Sequence, residues 1–328
     1  MISQKDIAKA LNISRVTVTK ALKDHADISV ETKEKVKKKA LELGYIPDFI
    51  GRSLSSRQTF IIGIVLPKIA HSFFAHAVEM FYTYANEKGY NIIPMISFED
   101  SKQEKKNIET LLSMRVDGII LDIAGNSLEN YDYDLIKRTG TKFIFFDRSP
   151  LKEDELVVAG NDRESAYLLT KRLIEKGYRK IYHFAGPSGL SISAERQKGY
   201  EEAMSKAGLL KYIFHAGLMP DEGYNALNNL ASQNELPEAI VSINDSVAHG
   251  IYKAANELGI VIPDDLAIAG FGDLESSKLL KPPLTSVKIP IDKMAKYAID
   301  SIIKMIEKGE ELTGKKIFKA EIIEREST

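Results

Sequence analysis

From Thr59 onward, short apolar runs alternate with segments of helical period, and no other feature of the chain narrows its possible folds so far. Phe60-Ile61-Ile62-Gly63-Ile64-Val65-Leu66-Pro67 is apolar nearly throughout, as a strand buried on both faces must be. A helix through Phe74 to Lys88, stopped by Gly89, follows it. The unit then repeats, with strands predicted at Tyr90 to Met95, Gly118 to Ile123 and Lys142 to Phe146, and helices at Lys102 to Arg115 and Tyr131 to Arg138. A second series starts near Leu156. It runs through a helix at Ala166 to Lys176, a strand at Ile181 to Ala185, a helix at Ala194 to Ala207, a strand at Ala239 to Ile243, a helix at Ser246 to Leu258 and a strand at Ala267 to Gly270. Two consecutive β-α-β series of similar length predict an α/β core of two doubly wound lobes.

Ahead of that core the period is different. Asp6-Ile7-Ala8-Lys9-Ala10-Leu11 is helical in spacing, Asn12-Ile13-Ser14 interrupts it, and Arg15-Val16-Thr17-Val18-Thr19-Lys20-Ala21-Leu22 starts a second helix. This is a helix-turn-helix pattern, in which Ile7, Ala8, Leu11, Val18 and Leu22 pack together and Arg15, Val16 and Thr17 project outward. A third helix opens at Ser29, with Thr32 three residues on and Glu31 and Glu34 in its first turn. Its stripe of Val36, Ala40 and Leu43 closes on the first two helices, and Gly44 and Pro47 end it. Asp48 to Arg57 is short and Ser-rich, and contains Gly51, so it is marginal as an isolated helix.

The net charge of −1 conceals a division. Residues 1 to 58 hold 12 Lys/Arg against 7 Asp/Glu, which leaves 33 against 39 for the remainder. A polyanion would meet the positive end. There is no cysteine, which excludes disulfides, thiolate zinc sites and a cysteine nucleophile. No apolar run reaches the roughly 20 residues that span a bilayer. With no signal-peptide core near Met1 either, a cytoplasmic protein is expected.

These residues carry a resemblance. Asp6-Ile7-Ala8, Ile13-Ser14, Thr17-Val18-Thr19-Lys20, Leu22, Ile28-Ser29, Thr32, Val36 and Leu43-Gly44-Tyr45-Ile46-Pro47 fall in a single pattern. Further along stand Asp117-Gly118-Ile119-Ile120, Phe146-Asp147-Arg148, Arg196 with Gly199-Tyr200, Asn244-Asp245, Ile262-Pro263-Asp264-Asp265 and Pro282-Pro283-Leu284-Thr285-Ser286-Val287. The chain resembles, along its whole length, the lac-repressor/gal-repressor family of bacterial transcription regulators. The resemblance implies an all-α helix-turn-helix domain at 1–46, a hinge helix at 47–58, and a periplasmic-binding-protein-like core at 59–328 for effector binding and dimerisation. It places one lobe at about 59–158 and 289–320 and the other at about 159–288 and 321–328.

It also implies roles. Arg15 would read a base edge and Val16 a thymine methyl in a major groove, while Ser14, Thr17, Thr19 and Lys20 hold phosphates. Leu54 would wedge into the minor groove. His71, Phe73, Phe74, Asp147, Arg196 and Asn244 would contact a small-molecule effector, expected to be a carbohydrate. Each has a structural alternative: Phe73 and Phe74 could be helix core, Asp147 could cap a turn with Arg148 as its ion partner, and Asp245 could be the N-cap of the helix from Ser246. Three positions depart from the family pattern. Gly272 stands where an aspartate takes sugar hydroxyls, leaving Asp273 as a possible substitute, Ala194 replaces an arginine, and Leu218 replaces an aromatic ring.

The partners so implied are a pseudo-palindromic duplex operator, a second copy of the chain and the effector, with no membrane and no cofactor. No Gly-rich phosphate loop follows a strand. The six histidines lack ligand spacing and no Gly-x-Ser-x-Gly elbow occurs, so a metal site or an enzyme is not expected. Glu310 to Thr328 has no leucine heptad, which argues for a dimer over a tetramer. The competing readings are a solute-binding protein with an incidental N-terminal module and a regulator answering to a protein partner.

Overall fold

The computed structural model describes residues 2–46, 58–70, 72–125, 133–150 and 154–328. Leu54, His71 and residues 47–57 of the expected hinge helix lie outside the described residues. The chain divides into two compact units, 1–59 and 60–328.

The N-terminal unit has three helices, α1 (Gln4–Leu11), α2 (Arg15–Leu22) and α3 (Val30–Glu42). The Asp6 carboxylate accepts from Ser3 N at 2.8 Å, which satisfies an amide at the open end of α1. The helix ends at Asn12 in the left-handed region (φ 51°), a conformation that asparagine tolerates better than most residues. Ser14 then caps α2 by accepting from Thr17 N at 3.0 Å, and Ser29 caps α3 by accepting from Thr32 N. Ile7, Ala8, Val18, Ala21, Val36 and Ala40 are buried in the shared core, with Leu11, Leu22 and Leu43 packed at its margin.

The second unit holds two six-stranded sheets. The first is built from β1 (Ile61–Leu66), α4 (Ser72–Glu87), β2 (Asn91–Ile96), α5 (Ser101–Ser113), β3 (Gly118–Leu121), α6 (Asp134–Thr139), β4 (Lys142–Phe146) and β5 (Val157–Gly160). The second is built from α7 (Asp162–Glu175), β6 (Ile181–Ala185), α8 (Ser191–Lys206), β7 (Tyr212–His215), α9 (Pro220–Ser232), β8 (Ala239–Ser242), α10 (Asp245–Leu258), β9 (Ala267–Phe271), α11 (Glu275–Lys278) and β10 (Thr285–Lys288). Then α12 (Ile291–Lys308) and β11 (Lys315–Phe318) return to the first sheet, and β12 (Glu321–Ile323) ends in the second.

The strand orders are β2-β1-β3-β4-β5-β11 and β7-β6-β8-β9-β10-β12, so each lobe repeats the doubly wound order 2-1-3-4-5 with one late strand added at its edge. All pairings are parallel except that of β12 with β10. Every residue of β1 is buried, which explains its unbroken apolar run. Phe81 of α4 meets Phe146 edge to face at 4.8 Å, and Met294, Ala298 and Ile302 of α12 share that layer. Ile108, Leu111 and Ile136 cover the opposite face with Val65 and Phe145. In the second lobe α9 and α10 cross so closely that a Cβ on Gly250 would stand 1.7 Å from Pro220 O.

Three sequence expectations change. The strand starting the second series, β5, hydrogen-bonds to β4 and belongs to the first sheet. The strand β7 and helix α9 were absent from the predicted order, as was every helix and strand after β9. The N-cap of α10 is Asn244, whose Oδ1 accepts from Val247 N at 2.8 Å. Asp245 is instead fully buried, accepting from Leu274 N (2.9 Å), Ser277 Oγ (2.7 Å) and Ser286 Oγ (2.6 Å).

Candidate functional site

In the N-terminal unit the start of α2 is the outward surface. Val16 is 63% exposed, and Ser14 and Arg15 are exposed beside it. In a helix-turn-helix the N-terminal residues of the second helix are the ones that can contact base edges. The other predicted contacts have internal partners. Thr17 Oγ1 lies 2.9 Å from Ser14 Oγ, and Thr19 Oγ1 donates to Gln4 Oε1 at 2.6 Å. Lys20 forms an ion pair with Asp27, which also meets His25 Nδ1 at 2.6 Å. Arg15 and Val16 are thus the side chains on this turn that a duplex could take without breaking a bond within the unit.

Ser14 positions both. Without its hydroxyl the Thr17 amide loses its acceptor, and a lost cap costs about 1 kcal/mol. Ser14→Ala in the full-length protein is therefore expected to speed amide exchange across α2 several-fold while leaving exchange in the core lobes unchanged.

Between the lobes, the carboxyl ends of the strands converge on one cleft, the place where doubly wound sheets bind ligands. Its lining takes Lys68, Phe73 and Phe74 after β1, Glu99 after β2, Asp147 and Arg148 after β4, Arg196 of α8, Leu218 and Met219 before α9, Asn244 after β8, and Phe271 and Gly272 at the end of β9. Two arginines dominate it, one from each lobe. Arg148 Nη1 donates to Glu99 Oε1 at 3.0 Å, and its guanidinium lies 5.2 Å from the Phe74 ring centre. Arg196 Nε donates to Asp162 Oδ1 at 2.7 Å, with its guanidinium 4.4 Å from the Phe271 ring centre. Each charge is held by a carboxylate and an aromatic face, an arrangement that suits arginine better than lysine.

Asp147 lies between these pairs. Its backbone is in the left-handed region (φ 58°), its side chain is buried, and Oδ1 has no hydrogen-bond partner. Burial, reinforced by Asp162, pushes its carboxyl up to about 6 against the pull of Arg196 and Arg148. Arg148 therefore pairs with Glu99, not with Asp147 as the sequence alternative had it. The lobes touch here: Ser149 N donates to Ser191 Oγ at 3.1 Å, and Ser191 N to Ser149 O at 3.3 Å.

The free space in the cleft is about 40 Å³, room for a few waters. A wider cavity of about 600 Å³ adjoins it at Asp147 and Ile192, on the flank where β5 leads into α7 beside β11. The residues expected for an effector converge on the smaller one. Phe73, Phe74, Asp147, Arg196 and Asn244 all line it, although the Asn244 amide also caps α10 and donates to Leu218 O at 3.1 Å. Asp273 does not, because its carboxylate is taken by Arg325, 52 positions along the chain, and Gly272 faces the cleft in its place. Lys68 and Glu99 escaped the sequence reading. Both follow strand ends, which was the available signal.

Residues 3–48 match the bacterial regulatory proteins of the lacI family, and residues 170–328 match a periplasmic binding protein-like domain. The chain is 30% identical over 314 residues to the ribose operon repressor of Haemophilus influenzae, covering 95% of this chain and 94% of that protein. Its fold superimposes on a lac repressor dimer bound to operator and the anti-inducer ONPF, with a TM-score of 0.86 at 21% identity, covering 99% of this chain and 98% of that one. A periplasmic binding protein/LacI transcriptional regulator from Alkaliphilus metalliredigens complexed with D-xylulofuranose is 26% identical, with a TM-score of 0.73 over 82% of this chain and 98% of that one. With an exposed turn at the start of its second helix and two doubly wound lobes that close on one cleft, the chain belongs to the lacI family of bacterial DNA-binding transcription regulators.

Proposed function

We propose that the protein is a repressor that grips a pseudo-palindromic operator as a homodimer and changes its grip when a sugar or sugar derivative enters the interlobe cleft. Residues 1–46 read the duplex, 47–58 connect, and 59–328 bind the effector and pair the protomers. The action is binding rather than catalysis, in the cytoplasm where the operator lies. Two-fold symmetry sets the half-sites about one helical turn apart, roughly 34–36 Å.

The observation that carries this reading is the cleft itself. The same segments that form it, after β4 and at the start of α8, hold the lobes together through Ser149 and Ser191. A ligand entering there must change the lobe angle, and a lobe angle is a bistable element through which one site biases another. The ribose operon repressor and the D-xylulofuranose complex among its relatives support a carbohydrate as that ligand.

The test is fluorescence anisotropy of full-length protein on a duplex obtained by selection from random sequence. Preference over random competitor is expected to exceed about 10³-fold, with affinity falling steeply as salt rises. An effector from a sugar panel is expected to shift operator affinity at least five-fold. Equal affinity for selected and random duplex at low ionic strength would overturn the reading.

A further inference from the structure

The charges in the cleft are more specific than its overall fold. Lys68 extends from the end of β1 into the cleft, and among the described residues its ammonium meets only the Met219 sulfur, at 3.9 Å. A cation facing a cleft without a carboxylate is short of a partner. Arg148 has its partner, Glu99, but the geometry behind that pair is unusual. Phe98 and Glu99 occupy the left-handed region in succession (φ 55° and 60°), where side-chain-bearing residues are strained and where such strain gathers at ligand clamps. The Arg148 Nε remains buried without a hydrogen bond, 3.8 Å from Asp122 Oδ1. Glu99 is the more exposed partner of the pair, its side chain 24% exposed against 6% for Arg148.

We propose, building on the effector reading above, that the cleft takes a hydroxylated ligand bearing an anionic group, and that Glu99 is an internal stand-in for that anion. The ligand's phosphate or carboxylate displaces Glu99 from Arg148 and bridges to Lys68, while its hydroxyls donate to the unpartnered Asp147 Oδ1. With Glu99 displaced, Lys68, Arg148 and Arg196 face Asp147 and Asp162, a balance that leaves one positive charge for the incoming group. Asp122, 3.8 Å from Arg148 Nε, is not among the residues that line the cleft, and burial raises its carboxyl well above the usual range. With only about 40 Å³ free in the cleft, a ligand that reaches Arg148 needs more room there, which displacing the Glu99 side chain would supply.

The test uses full-length protein and paired probes: ribose against ribose 5-phosphate, glucose against glucose 6-phosphate and gluconate, and inorganic phosphate alone. Each is read by melting temperature and by its effect on operator affinity. A charged member of a pair is expected to raise the melting temperature and shift operator binding at concentrations at least ten-fold below its neutral parent. Lys68→Met is expected to erase that advantage, and Glu99→Gln, which keeps an acceptor for Gly125 N (2.8 Å from Glu99 Oε2), to tighten binding of the charged probe several-fold. If Glu99 served only to hold the fold, Glu99→Gln would lower the melting temperature and loosen binding, and Lys68→Met would still decide the question independently. A neutral sugar that matches its charged partner, in wild type and Lys68→Met alike, overturns the anion assignment and leaves the effector reading standing. Silence from every probe in both readouts overturns both.

Discussion

Arg15→Ala should abolish base preference at one position in each half-site while leaving binding to random duplex nearly intact. The side chain is exposed at the first residue of α2, beside Val16, on a turn fixed by the Ser14 cap. A guanidinium in that place can make two donor contacts to a guanine edge, and such a pair discriminates against the wrong base by about 1–3 kcal/mol. In a symmetric operator the loss occurs twice, about 2–6 kcal/mol in all, which is roughly 30-fold to 10⁴-fold in specific affinity. Competition against operators substituted one base pair at a time distinguishes this from a phosphate contact, since a lost phosphate contact weakens every sequence alike and lowers the salt slope by about one per site. Lys20→Ala is the contrast. Lys20 already pairs with Asp27, so grip on a phosphate would be gained only by giving up that bond, and its loss should be small and independent of sequence. Arg15→Ala protein that keeps every base preference of the wild type would remove Arg15 from the recognition surface.

The helix-turn-helix and the two-lobed α/β core were both legible because they depend on local period. Ile7, Val18, Val36 and Ala40 fall at helical spacing and are buried, and β1 reads as an unbroken apolar run because both its faces are covered. What escaped depends on contacts distant in sequence. The strand Tyr212–His215 is four residues long and only partly buried, so it lacks the apolar signal of its neighbours. Whether β5 belongs to the first or the second series is decided by its pairing with β4 and β11, which no local pattern contains. In the cleft, position in the family pattern was enough to nominate Phe73, Phe74, Asp147, Arg196 and Asn244, all of which line it. It was not enough for Asp273, because whether a carboxylate faces a ligand or an arginine depends on where Arg325 arrives. Glu99 follows a strand end, but its bond to Arg148 depends on a left-handed turn that nothing in Ser97-Phe98-Glu99-Asp100 announces.

Asp147→Asn should make the protein more stable at neutral pH and less responsive to its effector. In the folded chain the carboxyl titrates at about 6, raised from 3.8 chiefly by burial and secondarily by Asp162. Between those two values the folded state holds a proton that the unfolded state has released, so stability falls as pH rises through this window and the full penalty is present above it. With each pH unit worth 1.36 kcal/mol, keeping the ionised form at neutral pH costs the fold about 2–3 kcal/mol. Asparagine removes the charge, retains the shape and tolerates the same left-handed backbone (φ 58°), so little opposes the gain. The expected result is a variant more stable than wild type by about that amount at pH 7.5, the two curves converging as pH falls through 6 and meeting near 4. His183, buried and held neutral with its ring lowered to about 4, destabilises both proteins equally on acidification and cancels in the difference. Denaturant unfolding from pH 4 to 8 measures it, and parallel curves would show that Asp147 carries no such penalty. A buried carboxylate kept charged at this expense, with Oδ1 unbonded, fits an acceptor held ready for a ligand's hydroxyl. The stabilised variant should therefore bind operator normally and answer its effector poorly.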